Sequence, residues 1–427
     1  MDDHLLTPNS RLLLFSAFLN TIPVGYLNVV PLVYLAEIGY DPATIGLIYS
    51  VSAVALTVGL IPLGLLADRY GKKKLLIAGT FLPCVAYAIF GLTLDPLLLI
   101  IASIVGGIGF AGGLSGAIVN PTLIPMLASS ASDNRRSTVF GVLLSAWDVA
   151  LTLGAALSFL PSLFSIIFGQ GERTAHFESY FIMVGVAAVS VIPLLFVKEQ
   201  SNNAEVKISL SNGPAPQSTE GKRSFFSGVG SWPTIAKFST VFAFTGFGLS
   251  LVQLLPTWYT MRFGVSETVV GLWIAVANLA TIVSIPLIPM LVSRRGTVST
   301  IIVTGVIGAL ALGLMPFTSV FETASILFII RCTASGLSWA VLQSYMMGVV
   351  GERGRGTMVG FSYTTWGVGL SLGVFIGGEF LGLGLLNLPF VAAITSYLIS
   401  FAALLVFFRK IKPPEELSRY SLTRMTE

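Results

Sequence analysis

Gly64-Leu-Leu-Ala-Asp68-Arg69-Tyr-Gly71-Lys72-Lys73-Lys74 separates two apolar runs, and five of its last seven residues are charged. A loop this short has no core of its own, so its charges serve the two segments it joins. Asp68 and Arg69 close the first segment, Gly71 permits a tight reversal, and three lysines open the second. In a water-soluble domain this would be an ordinary basic turn. Between segments long enough to cross a bilayer it is a cytoplasmic hairpin, because lysine and arginine accumulate on that side.

The surrounding composition decides between the two. The chain has 427 residues, 54% hydrophobic and only 10% charged, against roughly 25% charged in an ordinary soluble domain. No soluble core hides that much apolar side chain. Runs near twenty residues, separated by brief polar breaks, indicate helices that cross a bilayer. Strand-like alternation is missing from them, which leaves helices as the spanning element. Twelve spans are expected, near residues 11–36, 43–67, 74–94, 97–127, 137–161, 178–197, 234–261, 268–292, 297–316, 323–349, 357–381 and 388–408. The first is too long for a signal-peptide core and is followed directly by more spans. In the fourth, Asn120-Pro121 and Pro125 predict a kink or early exit near the inner end.

Charge sets the orientation. Of 24 lysines and arginines, Arg173 and Arg262 fall outside and Arg331 is embedded, which leaves 21 in the cytoplasm if both termini are there. A multi-pass protein of the plasma membrane with cytoplasmic termini follows. The net charge of +4 is spread over loops between spans and gathered on no one face, so nucleic acid is not a partner. Cys84 and Cys332 lie inside apolar runs, and His4 and His176 are the only histidines, so neither a disulfide framework nor a metal site is indicated.

Residues 198–232 are rich in Ser, Asn, Gly, Pro and charge and read as a flexible cytoplasmic linker. It joins a six-span bundle over 1–197 to another over 233–427, and the two halves repeat. Pro31/Pro256, Tyr34/Tyr259, Gly39/Gly264, Gly46/Gly271 and Gly71/Gly296 are each 225 residues apart. Asp133/Glu352, Arg136/Arg355, Thr138/Thr357, Gly141/Gly360 and Trp147/Trp366 are each 219 apart. The offset changes between spans three and four, where loop length is free to vary.

Together, the G-x-x-x-D-R-x-G-x-[KR]-[KR] stretch, twelve spans, central linker and duplication resemble the major facilitator superfamily of secondary transporters over essentially the whole chain. The resemblance implies an all-α membrane protein of two pseudo-symmetric six-helix bundles, with one chain as the functional unit. It makes Gly64, Asp68, Arg69, Gly71, Lys73 and Lys74 a cytoplasmic gate motif, with Asp68 facing the start of span eleven at Arg355–Thr357. A carboxylate at a helix N-terminus is stabilised by about 0.3–1 kcal/mol. The bare alternative is a loop that only sets topology. The second-half echo, Ser293-Arg294-Arg295-Gly296, has serine where Asp68 stands.

Gly107-Ile-Gly109-Phe-Ala-Gly112 matches G-x-G-x-x-G, but no strand precedes it, so a nucleotide site fails. Close helix approach explains these glycines, as it does Gly369, Gly373 and Gly377. There is no G-x-x-x-x-G-K-[ST] loop, so no ATP site is expected, nor any cofactor, nor an enzyme.

Embedded charges are costly and therefore informative, at about 2.5–3.5 kcal/mol each at a helix centre. Asp148 sits mid-span on a stripe with Gly141, Ser145 and Thr152, and its repeat partner is Gly367. Arg331 lies in span ten and Glu379 late in span eleven. A structural Asp148–Arg331 ion pair is one reading; proton coupling through Asp148, with Glu379 next, is the other. The resemblance places spans one, four, seven and ten around a central cavity, which makes Asn20, Asn28, Asn120, Gln253, Trp339 and Gln343 candidate contacts for a partly polar solute. Two departures count against a drug–proton antiporter. Gly154-Ala-Ala-Leu stands where that group has a Gly-Pro pattern, and Ser103 where it has an arginine. The expected function is proton-coupled transport of a small organic solute by alternating access. The alternatives are a uniporter or exchanger and, from another class, a non-transporting membrane sensor, against which the short linker argues.

Overall fold

A computed structural model describes residues 6–109, 112–130, 136–198, 232–349 and 355–409. The side chains of Asp68, Arg355 and Thr357 and nearly all of the 198–232 linker lie outside it. The described residues are helical with short connections and contain no strand. In chain order the helices are α1 (Pro8–Leu27), α2 (Val30–Glu37), α3 (Pro42–Tyr70), α4 (Lys72–Phe90), α5 (Pro96–Val105) and α6 (Gly113–Ser129), then α7 (Arg136–Ala156), α8 (Leu160–Phe168) and α9 (Glu172–Phe196). The second half has α10 (Trp232–Leu251), α11 (Leu255–Phe263), α12 (Glu267–Ser284), α13 (Ile288–Arg295), α14 (Thr297–Leu314), α15 (Phe321–Val349), α16 (Arg355–Gly382) and α17 (Leu388–Phe408). Eleven helices or helix pairs here are long and apolar enough to cross a membrane. The short α5 and α6 together supply the fourth span of twelve.

Local chemistry sets the ends. Asp41 and Asp95 accept from backbone N–H groups in the first turns of α3 and α5 and satisfy orphan donors there. Gly71 sits at φ 98° between α3 and α4, a conformation that L side chains disfavour.

Among the described residues, three spans are interrupted by non-helical backbone. The first breaks at Asn28-Val29 and the seventh at Val252–Leu254. These are equivalent positions, because Pro31 and Pro256 each stand in the first turn of the helix that restarts, where the missing N–H costs nothing. The fourth span does not exit early at its prolines but breaks before them. Helix α6 runs through Pro121 and Pro125, and the interruption includes Gly106–Gly109 and Gly112. Gly107, Gly109 and Gly112 have φ of 74°, 70° and 73°, so they unwind the chain here, and Gly109 also lies against Tyr49 and Gln253. Ser52 Oγ bonds both the N–H and the C=O of Ile108 within this break, at 3.3 and 3.2 Å. Gly369, Gly373 and Gly377 do mark close helix approach: a Cβ on Gly373 would stand 2.5 Å from the Phe247 carbonyl oxygen, against the seventh span.

The two bundles are joined at one end and separate at the other. We call the end with Pro8, Phe408 and the Gly71 and Gly296 turns the terminal face, and the opposite end the far face. At the far face a single apolar core combines Tyr26, Leu35 and Tyr180 of the first half with Trp258, Val270 and Phe390 of the second. Midway, Ala53 and Leu56 still meet Leu370 across the bundles; nearer the terminal face the clusters divide. One holds Leu13, Leu127 and Leu143, all of the first half; the other holds Phe238, Tyr345 and Phe408, all of the second.

Candidate functional site

The repeat glycines Gly46 and Gly271 bring the bundles together at the far face. A Cβ on Gly46 would stand 2.9 Å from Gly378 Cα, and one on Gly271 would collide with Ser158 Oγ. Thr257 Oγ1 donates to the Leu32 carbonyl at 2.7 Å across the same seam. His176 Nε2 of α9 meets Glu267 Oε2 of α12 at 2.8 Å, with both side chains almost fully buried. The Tyr34 ring stacks on His176 at 3.7 Å between centroids. This inter-bundle pair was missed in the sequence. Each residue reads as a charge at a span end, and 91 residues separate them.

Below this seal lies a cavity of about 520 Å³ between the bundles. Asp148 and Arg331 both line it, together with Trp339 and Gln343. No ion pair within 4.0 Å joins Asp148 to Arg331. Asp148 is half-buried, on the cavity side of α7. Arg331 is 8% exposed; it donates through Nη2 to Tyr397 Oη at 3.2 Å and weakly through Nη1 to Cys332 Sγ at 3.7 Å. Its Nε has no partner.

One wall is aromatic. Trp339 and Trp366 stack with centroids 6.0 Å apart and planes 29° from parallel. Phe242 packs on Trp339 at 5.2 Å, and Tyr363 meets Trp366 edge-on at 6.0 Å. Tyr363 Oη donates to Gln343 Oε1 at 2.9 Å, which fixes the amide's orientation. Tyr397, Tyr363, Trp366 and Asn278 of this wall were not among the sequence candidates. Asn278 had a signal, an amide inside an apolar run; the aromatic residues did not, because aromatics are common on any span.

The remaining candidates fall into two adjoining cavities. Asn20 and Asn120 line one of about 310 Å³ within the first half, which meets the main cavity at Trp147 and Leu151. Asn20 Nδ2 reaches Ser190 Oγ at 3.3 Å there. Asn28 and Gln253 line another of about 130 Å³ at the broken helices, which shares Arg331 and Asn278 with the main cavity. Asn28 Oδ1 is buried without a partner. A Cβ on Gly109 would stand 2.7 Å from Gln253 Nε2, so the unwound fourth span packs against the break in the seventh. Glu379 lies near the far end of α16 and lines none of the three cavities.

Of the gate motif, Lys73 Nζ donates to the Leu195 carbonyl at 2.9 Å and Arg69 lies over the Tyr70 ring at 5.7 Å. Lys74 is exposed, and a Cβ on Gly64 would make ordinary contact with Pro121 Cβ at 3.5 Å. The expected contact of Asp68 with Arg355–Thr357 involves side chains outside those described.

A sequence profile described as Major Facilitator Superfamily matches residues 13–373 and 238–422. An uncharacterized MFS-type transporter of Methanocaldococcus jannaschii is 23% identical over 92% of this chain and 97% of its own length. Multidrug resistance protein 2 of Bacillus subtilis is 22% identical over 90% and 92%. The 3-(3-hydroxy-phenyl)propionate transporter of Escherichia coli is 26% identical over a shorter stretch, 36% of this chain and 34% of its own length. Among solved structures, a bacterial homologue of the human lysosomal transporter Spinster, inward-facing and occupied, superposes with a TM-score of 0.69 at 16% identity, over 94% and 96% of the two chains. The nucleoside transporter NupG superposes with a TM-score of 0.66 at 14% identity, over 94% and 99%. The profile, the relatives and the shared fold agree with the duplicated twelve-span architecture: the chain is a transporter of the Major Facilitator Superfamily.

Proposed function

We propose that the protein carries a small organic solute by alternating access, coupled to protons through Asp148. The observation that carries this reading is a carboxyl group, free of any ion pair, on a cavity sealed at one face between two bundles that part toward the other. Desolvation penalises a charged carboxylate, and an opening that alternates between faces exposes Asp148 to each aqueous phase in turn. In this reading the bundles over 1–197 and 233–427 are the rocking bodies, 198–232 is their cytoplasmic link, and the terminal face is cytoplasmic. The gate motif then locks the terminal face in the opposite state, with Asp68 at the start of α16.

A ligand that binds only the folded state raises its apparent stability, so a thermal-shift screen of solutes finds the probe. In proteoliposomes, that solute should accumulate under an imposed pH difference. Asp148→Asn should abolish this accumulation and spare solute exchange, which moves no net proton. Accumulation by the variant under a pH difference alone would make Asp148 structural. Topology has its own check. Single cysteines in 198–232 should be protected from an impermeant thiol reagent in intact cells, and cysteines near Glu172 should react.

Efflux of an amphipathic compound is the second reading. The aromatic wall favours it, and the name of the B. subtilis relative is in keeping.

A further inference from the structure

Among the described residues, Arg331 is a buried cation with no carboxylate within 4.0 Å. Its helix α15 packs against α14 and α12 and is tied to α17 by the Arg331–Tyr397 and Tyr345–Phe408 hydrogen bonds. Neither α14 nor α17 contains a charged residue, and the only one on α12 is Glu267, committed to His176 at the far face. Tyr397 and Cys332 give Arg331 neutral partners. A buried charge normally has a counter-charge, because removing an ion from water costs several kcal/mol that hydrogen bonds to neutral groups only partly offset.

The orphan atoms on this cavity share one polarity. Arg331 Nε and Trp366 Nε1 are both buried without partners, and both are donors. A ligand that satisfies them must bring acceptors. A guanidinium edge matches a carboxylate in shape as well as charge.

From these observations, and resting on the transport reading above, we infer that the solute is an organic monoanion. Its acid group is received at Arg331, and its flat apolar body lies against the Trp339–Trp366 wall.

Charge bookkeeping within the cavity then explains the coupling. The ionisable groups lining it are Asp148, Arg331, Tyr363, Tyr397 and Cys332. Around Asp148, helix α7 packs on α1 and α12, whose only charged residues are Arg11 and Glu267, near opposite ends. With Arg331 charged and Asp148 ionised, the empty cavity is formally neutral. Adding one anion and one proton, the latter on Asp148, leaves it neutral again. Either one alone leaves a unit charge in a low-dielectric site, the costly condition. Empty and fully loaded carriers therefore switch readily, while half-loaded ones are held back. The result is symport of one proton with one anion.

Three probes share one ring and differ in charge: indole-3-acetate, indole-3-acetamide and tryptamine. Equilibrium binding to the purified protein should favour the acid over the amide by about 10- to 100-fold, the range for hydrogen bonds to a charged group. Tryptamine should bind more weakly than the amide. Arg331→Gln should remove the preference for the acid over the amide, lowering acid affinity much more than amide affinity. Arg331→Lys, which keeps the charge, should retain part of the preference, and the unliganded melting midpoint reports whether each variant is folded. In weak buffer, acid binding should take up one proton in the parent protein and none in Asp148→Asn. Amide or amine binding as tightly as the acid overturns the inference. So does an acid preference that survives Arg331→Gln, or no acid binding at millimolar concentration. The transport reading fails separately, if the acid binds as described but no flux of it is detected in proteoliposomes.

Discussion

At the far face the bundles meet backbone to backbone at Gly46 and Gly271. At the terminal face another repeat pair, Gly141 and Gly360, has nothing within 4 Å of where a Cβ would stand. Both pairs come from the same duplication, the first on the second and eighth spans and the other on the fifth and eleventh. The first pair marks the closed seam, and the second is expected to mark the seam that closes in the alternate state. A glycine with no steric role in this state is expected to need its smallness in the other.

The largest expected effect is at the buried far-face pair. His176→Ala leaves Glu267 without a partner and removes the ring that Tyr34 stacks on. Losing one partner of a buried pair costs about 3–5 kcal/mol, and water reaches Glu267 once the seam opens. The far-closed state should therefore lose most of its population, read as a longer distance between spin labels at Ile38 and Met261. Unchanged distances with intact folding would show that the apolar core alone holds the seam.

Next comes Gly271→Leu, which forces a side chain into Ser158 and the Ala155 carbonyl. Overpacking of this kind costs about 1–3 kcal/mol. Both the melting temperature and transport should fall, and Gly46→Leu should act likewise through Gly378. A smaller effect is expected at the gate. Asp68→Asn should weaken the terminal-closed state by about 0.3–1 kcal/mol, visible as a shift toward terminal-open distances. Smallest is Gly141→Ala, which in the terminal-open state should be neutral or stabilising by about 0.5–1 kcal/mol from helix propensity. A clear loss of stability there would mean that the seam is already closed in the resting protein.

The spans and the duplication were legible because apolar run length and paired glycines and prolines are local signals. Pro31 and Pro256 identified the repeat and turned out to restart the broken first and seventh helices. In the fourth span the early exit expected at the prolines does not occur, and the break at the glycines was not foreseen. Pro121 removes one N–H from a helix that otherwise continues, whereas Gly107, Gly109 and Gly112 permit positive φ and so allow the chain to unwind. Asp148 and Arg331 stood out by their cost in a membrane, and both line the cavity. Their failure to pair depends on helix rotation and rotamer, which spacing does not encode. The His176–Glu267 contact and the Trp366–Tyr363 wall join helices distant in sequence and had no local signature.

The central claim is that the two seams alternate around one cavity. Gly141→Cys with Gly360→Cys places labels at the terminal face, where there is room for them, and Ile38→Cys with Met261→Cys places labels at the far face. Distance distributions at both faces, recorded in lipid with and without bound solute and across a change in pH, test the claim directly. The account predicts opposite movement: as the terminal-face distances shorten, the far-face distances lengthen. Distances that stay fixed at both faces, or that lengthen and shorten together, would contradict it.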